Sequence, residues 1–425
     1  MGTTGHAMRL PASRARLWLA VIAGGMAAQA VLWAISEPSD LFSDFYKAYF
    51  PAGEQLWLHG PAATWETGEA AAVGFVNIPI LAWLFVPLSM LGDPAAGWTF
   101  LALGVAAMAA AYWLLHRLGQ LDGTLGALVA FAILANGPLV NSLREGNTTH
   151  IILLVLIVAL VLWRAGEQYA AGLLFGLCAL FKLPLMLIGF YFLVRRRWHV
   201  VAGGATMIGG AVLLSLLVFG IDINIGWYRN CVEPFMGGVI AAFNVQSVDG
   251  FLARLESGPA QLTEWTPQAA ALWHKVVRSV VLAAMFVFTF VAIYRGGDGT
   301  PAAGRAGERD LLEFSTVLVL AVVTSPVSWS HYYLLLLLPW ALHVGGRLGL
   351  PDDGATRWLM TGGMLLASLP VIMPVLEPGL IGALVSRTLV SAWLFGGLLM
   401  LAALLRGMLH AHQPAPNAAR RAIAP

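Results

Sequence analysis

The chain is built around long apolar runs. They fall near 17–35, 75–91, 96–115, 124–142, 150–163, 169–194, 199–219, 276–294, 311–325, 332–346, 357–375 and 382–405. Many have the roughly 17–25 residues needed to cross a hydrocarbon core about 30 Å thick. No water is available there to satisfy backbone N–H and C=O groups, so the spans are expected to be helices. The strict alternation of a membrane barrel is absent. Hydrophobic residues make up 59% of the chain and charged residues 11%, against about 25% charged in an average soluble chain, which leaves too little polar surface for a soluble fold of this size. The expected fold class is therefore an all-α polytopic membrane protein, one domain over 1–425, with a bundle of about twelve transmembrane helices.

The net charge of +2 gives nucleic-acid binding no electrostatic support. Cys178 lies in an apolar run and Cys231 in a polar stretch, which suggests neither a disulfide framework nor a metal site. Arg9, Arg14 and Arg16 precede the first run. It is long for the core of a secretory signal, so an uncleaved first span is expected.

Lys and Arg beside the spans set the expected orientation. The N-terminal Arg residues, the Arg195-Arg196-Arg197 cluster, Arg295, Arg305 and Arg309 in one loop, and Arg406, Arg420 and Arg421 at the end are all expected on the cytoplasmic side. The stretch 36–74 is the opposite case, with Glu37, Asp40, Asp44, Glu54, Glu66 and Glu69 against Lys47. It reads as a first outward loop, and 220–275 as a second. Between them, Lys182 and Pro184 interrupt the segment 169–194. One broken span and a short hairpin both fit, and the choice decides which side holds Asn147 and His150.

Many spans with two long outward loops fit two classes, a secondary transporter or flippase for a sugar or lipid-linked substrate, and a membrane glycosyltransferase with a lipid-linked donor. Transporters often carry internal repeats with matched broken helices. No repeat is visible here and the polar irregularities are asymmetric, which favours the enzyme. Within the first loop, Asp44 follows the first span closely and is flanked by Phe45, Tyr46, Tyr49 and Phe50, with Leu56 and Trp57 beyond. An interfacial helix with a solvated acid fits that pattern, and so does a general base held at the membrane boundary. An ionisable residue inside an apolar segment marks function by default, and Lys182 is one; snorkelling is its alternative.

Several short patterns occur in order along the chain. Asp44-Phe45-Tyr46-Lys47-Ala48-Tyr49 is followed by Phe75-Val76-Asn77-Ile78-Pro79 with Leu84-Phe85-Val86-Pro87-Leu88, then Gly146-Asn147-Thr148-Thr149. Next come Gly172 to Gly176 with Phe181-Lys182-Leu183-Pro184 and Arg195-Arg196-Arg197-Trp198. Asn244-Val245-Gln246-Ser247 with Gly250 to Arg254, and Ser325-Pro326-Val327-Ser328-Trp329-Ser330-His331, complete the set. Together they resemble glycosyltransferase family 87, the polyprenyl-phosphate-mannose-dependent membrane mannosyltransferases of the GT-C superfamily. The departures are Asn77-Ile78 for a Tyr-Pro, Asn147 for a Gln and Tyr332 for a second His.

The resemblance implies a GT-C-like bundle with an outward-facing first loop, located in the cytoplasmic (inner) membrane with its active site facing outward. It implies an inverting transfer of a hexose, mannose first, from a polyprenyl-phosphate-linked donor to a glycolipid or glycan acceptor, with membrane lipids as the surroundings. Asp44 would be the catalytic base. Asp40, also the competitor for the base, Tyr46, Lys182, Asn244, Gln246, Arg254 and His331 would bind substrate, the cations meeting the leaving phosphate and His331 either donating to it or orienting the sugar. Arg229 in the second loop reads as solvated. No metal ligands stand at coordinating spacing and no glycine loop suited to a nucleotide phosphate stands out, so no metal or other cofactor is expected.

Overall fold

In the computed structural model the described residues are 12–35, 41–61, 74–236, 238–295, 306–372, 376 and 379–410. They are almost wholly helical, as a chain that must satisfy its own backbone in lipid has to be. Among the described residues, five helices are long and apolar enough to cross a membrane: Leu17–Ala34, Ala95–Gly119, Trp198–Met236, Leu272–Arg295 and Leu380–His410. A sixth arises if Gly123–Leu134 and Gly137–Arg144, bent by 49° at Ala135 and Asn136, count as one span. The chain is thus a multi-pass helical membrane protein, but its long helices are fewer than the twelve apolar segments. The other segments form shorter helices and turns, some of them broken.

The helices that build the site are α1 (Ala12–Ile35), α2 (Phe50–His59), α3 (Ala95–Gly119), α4 (Gly123–Leu134), α5 (Gly137–Arg144), α6 (Thr149–Arg164), α7 (Gln168–Phe181), α8 (Met186–Val194), α9 (Trp198–Trp227), α10 (Val248–Ser257), α11 (Leu272–Arg295) and α12 (Ala306–Thr324). They are followed by α13 (Leu337–Val344), α14 (Gly354–Ala367), α15 (Leu380–Arg387) and α16 (Ala392–His410). The second outward stretch does not begin as a loop. Gly220 kinks α9 at φ 77°, and helix then resumes to Trp227, because glycine alone enters that backbone region without penalty. Beyond it, Gly238–Val239 pairs antiparallel with Gln268–Ala269.

Helix α12 is the axis of the bundle. From Leu311 to Thr324 every side chain is buried, the polar Glu313, Ser315 and Thr316 included, so the helix has no solvent-facing side. Its first turns carry Glu308, Arg309, Asp310 and Glu313. Glu313 is fully buried, and it is matched by Arg195, by Arg309 at 2.8 Å and by the Tyr191 hydroxyl at 3.2 Å. Removing one member of such a set would leave a charge stranded in protein.

The segment 169–194 is a hairpin. Helices α7 and α9 pack in parallel: a Cβ added at Gly172 would lie 2.2 Å from the Val200 carbonyl oxygen, and one at Gly176 would lie 2.9 Å from that of Gly204. Helix α8 returns between them to Arg195, which meets α12 at Glu313, and Arg164 at the end of α6 donates to the Gly307 carbonyl at 2.7 Å. Both ends of the hairpin therefore lie toward the start of α12. Its tip, Lys182-Leu183-Pro184, lies at the other end, where Lys182 ends α7 with φ −134° and ψ 87°. Pro184, the third residue past the helix, suits that break. Small residues at the α7–α9 seam let the backbones touch.

Of the first loop, 41–61 and Gly74 are described. Five residues, Phe45–Tyr49, make a π-helical turn leading into α2. Phe45, Tyr49, Phe50 and Leu56 turn into the protein and form a second core with Phe42, Phe75, Phe85 and Phe100, so this segment is anchored to the bundle; Trp57 remains exposed. Asp40, Glu37, Glu66 and Glu69 lie outside the described residues.

Candidate active site

Where the π-turn, the start of α6 and the tip of the α7–α8 hairpin converge, they enclose a cavity of about 660 Å³. Asp44, Lys47, Arg144, Glu145, Asn147, Lys182 and His331 are among its charged and polar groups, and Trp265, Trp329 and Tyr332 are among its aromatic ones. A few polar groups converging on an aromatic wall is the usual make-up of a small-molecule site.

The π-turn is fixed by backbone. Phe42 N donates to the Arg144 carbonyl at 2.7 Å, while Asp44 N and Phe45 N donate to that of Glu145 at 2.8 and 3.1 Å. Gly146 follows at φ 67°, and a Cβ there would press on that of Phe45 at 2.6 Å, so the close approach needs glycine on both counts.

Asn147 is the hub. Its Nδ2 donates to Asp44 Oδ2 at 2.7 Å, and its Oδ1 accepts from Lys182 Nζ at 3.0 Å and Thr149 Oγ1 at 2.8 Å. The amide thus joins carboxylate to ammonium without neutralising either. Lys182 Nζ also sits 4.8 Å from the centroid of the Tyr332 ring, a cation–π arrangement. Tyr49 OH lies 3.3 Å from Thr148 Oγ1 and closes the floor.

Burial pushes the Asp44 carboxyl above its ordinary range, and the Asn147 hydrogen bond with the charges of Lys182 and Lys47 reverses part of that rise. Glu145, on the same wall, is raised by burial and then by the Asp44 charge, with Ser43, Lys47 and Arg144 opposing. Two carboxyls with displaced titrations beside a lysine in one cavity form a candidate site on physical grounds.

Among the other sequence-derived residues, His331 and Asn244 line the cavity. His331 is 7% exposed, and its Nε2 has no partner among the described residues. Asn244 Oδ1 accepts from Trp265 Nε1 at 2.9 Å, which ties the second loop to the rim. Tyr46 does not line the cavity; its ring lies against Phe42, Phe45 and Phe50. Gln246 is fully buried behind the wall, where its Nε2 donates to the carbonyls of Phe243 and Val390, both at 2.6 Å.

Arg254 is likewise enclosed. Its Nη1 donates to Ala242 O at 2.9 Å and Val245 O at 2.8 Å, and Nε and Nη2 donate to Ser391 Oγ at 3.2 and 3.0 Å. Neither Gln246 nor Arg254 reaches the cavity. Arg229 is exposed, as a solvated residue should be. Asp40 lies outside the described residues. His150 is buried beside the site, its Nδ1 2.9 Å from Ser142 Oγ.

Sequence reasoning missed Glu145, Arg144 and Trp265 as lining residues and left the side of Asn147 open. An Arg-Glu pair between two apolar segments was the available signal.

A sequence profile described as glycosyltransferase family 87 matches residues 75–326, more than half of the chain. That match begins after Asp44, so the placement of Asp44 rests on the geometry above. A polyprenol-phosphate-mannose-dependent alpha-(1-2)-phosphatidylinositol mannoside mannosyltransferase of Mycolicibacterium smegmatis is 26% identical over 308 residues, covering 67% of this chain and 66% of the relative. One with the same description from Mycobacterium tuberculosis is 25% identical over 351 residues, covering 77% and 75%. A pentamannoside mannosyltransferase of M. smegmatis is 27% identical over 208 residues, covering 48% of the chain and 45% of the relative. No solved structure matches.

Proposed function

The chain belongs to glycosyltransferase family 87, and from that membership we propose that it transfers mannose from a polyprenyl-phosphate carrier to a glycolipid or glycan acceptor at the outer face of the cytoplasmic membrane. The polyprenol-phosphate-mannose dependence of its relatives supports the donor class. The single observation that carries the site is the Asp44–Asn147–Lys182 bridge on the cavity wall.

In this reading Asp44 is the general base. Asn147 occupies Oδ2, and the other carboxylate oxygen has no hydrogen-bond partner among the described residues. An acceptor hydroxyl gives its proton to Asp44 as its oxygen bonds the anomeric carbon. The bond from that carbon to the phosphate oxygen breaks, and the electron pair leaves with the phosphate. Attack opposite the leaving group inverts the centre. Lys182 meets the charge that develops on the phosphate, in a site where few waters compete. His331 supplies a second polar contact from the same cavity, and the aromatic wall of Trp265 and Trp329 suits the apolar face of a pyranose. The polyprenyl tail lies in the surrounding lipid.

The test is transfer of label in nanodiscs from radiolabelled polyprenyl-phosphate mannose to a total membrane lipid extract, wild type beside Asp44→Asn. The wild type should produce a new labelled lipid and the variant should not. Equal transfer by both would remove Asp44 from the mechanism, and none by either across several donor sugars would overturn the enzymatic reading.

A further inference from the structure

Asp44 shares its wall with a second carboxylate held in the same manner. Ser43 Oγ donates to Glu145 Oε2, as Asn147 Nδ2 donates to Asp44 Oδ2. Both side chains line the cavity. Each therefore has one oxygen pinned by a neutral donor and one with no hydrogen-bond partner among the described residues. The backbone holds the pair in register, since Asp44 N and Phe45 N both donate to the Glu145 carbonyl, at 2.8 and 3.1 Å. The glycine that follows at φ 67° keeps the two segments pressed together. Burial first and the Asp44 charge second push the Glu145 carboxyl up, while Ser43 and the charges of Lys47 and Arg144 oppose. Glu145 forms no salt bridge among the described residues. A carboxylate kept beside a like charge with one oxygen unfilled gains most from a neutral donor brought in by a ligand.

We propose that Glu145 is a specificity-determining residue for the acceptor, receiving a hydrogen bond from the hydroxyl adjacent to the attacking one, so that the acceptor presents two neighbouring hydroxyls, one to each carboxylate. The inference rests on Asp44 being the base. The attacking hydroxyl loses its proton to Asp44, while Glu145 neither gains nor loses one and acts only by orienting the acceptor. An acceptor with an isolated hydroxyl would leave Glu145 unfilled and be rejected, the asymmetry that makes polar sites selective. Trp265, tied to Asn244 at 2.9 Å, stands on the same cavity and offers a ring face to the acceptor while its hydroxyls meet the acids.

The experiment measures apparent KM for the lipid extract and for labelled polyprenyl-phosphate mannose separately, with wild type, Glu145→Gln and Ser43→Ala in nanodiscs. Glu145→Gln should raise the apparent KM for the extract by about tenfold to a hundredfold and leave the donor KM unchanged. Ser43→Ala, which frees the pinned oxygen but keeps the charge, should change either by only a few-fold. In a second arm the extract is oxidised with periodate, which cleaves neighbouring-hydroxyl pairs, and wild type should then transfer nothing.

An unchanged extract KM in Glu145→Gln overturns the proposal, as does a donor KM that rises equally, since a merely structural role would move both. Transfer that survives periodate also overturns it. If wild type fails to transfer with untreated extract, the glycosyltransferase reading itself falls, a different result from losing Glu145 alone.

Discussion

Replacing Asn147 with alanine removes a side chain that hydrogen-bonds to both Asp44 and Lys182. Two opposed effects set the Asp44 titration, burial upward and the Asn147 hydrogen bond with nearby cations downward. The Asn147 bond is 2.7 Å long and made to the charged form. A hydrogen bond to a charged group contributes about 1.5–3 kcal/mol, and each pKa unit corresponds to about 1.36 kcal/mol. Its loss should raise the Asp44 pKa by about one to two units. The sign follows from the role of the carboxylate. In the proposed mechanism Asp44 works deprotonated, so activity is present above its pKa and lost as pH falls through it. A higher pKa moves that loss to higher pH. The assay is the pH profile of kcat/KM for mannosyl transfer, because that ratio reports the free enzyme. The acid limb of Asn147→Ala should lie about one to two units above that of wild type. The plateau should also be lower, since Lys182 loses a 3.0 Å acceptor. A limb that stays in place, or moves to lower pH, would refute both the base and the hub.

Asp44→Asn should reduce kcat by about 10²–10⁴-fold, with the protein still monodisperse and its donor affinity retained. Lys182→Met should lower kcat/KM for the donor by about 10²-fold or more, measured at saturating acceptor. Gly172→Val should lower the thermal midpoint in detergent, because a Cβ there meets backbone at 2.2 Å, whereas Gly189→Ala, with nothing within 4 Å, should not. Overpacking of that kind is worth about 1–3 kcal/mol. Arg254→Met should abolish stable expression or lower the midpoint sharply by stranding the carbonyls of Ala242 and Val245, while any protein recovered keeps its donor KM.

Membrane class and helical content were legible in the sequence because apolar length and low charge are direct consequences of the solvent. The number of long helices was not. Apolar runs such as 169–194 and 332–346 look like spans, yet Lys182-Pro184 folds the first into a hairpin, and Ser330–Leu336 starts the second as a 3-10 turn. Composition does not distinguish a helix surrounded by lipid from one surrounded by protein. Asp44, Lys182, Asn244 and His331 were legible because polar chemistry in an apolar chain is conspicuous. Arg254 was just as conspicuous, yet it is enclosed: a buried guanidinium that satisfies backbone carbonyls has the same sequence signature as one that awaits a phosphate. Asn147 depended on which end of α6 faces the first loop, a question that only the hairpin answers.

That hairpin has a consequence for how such a site can change. Lys182 stands on a post whose two feet are planted toward the start of α12, about 21 Å of helix away from the cavity if the 14 residues of α7 are taken at 1.5 Å each. One residue inserted in α7 would lift the ammonium by about 1.5 Å and swing it through about 100°, without altering any residue of the cavity wall. The position of the ammonium in the cavity can therefore be retuned from the far end of the hairpin. Mutations that shift donor preference should be sought in the seam of Gly172, Gly176 and Gly203 as well as among the groups that touch the sugar.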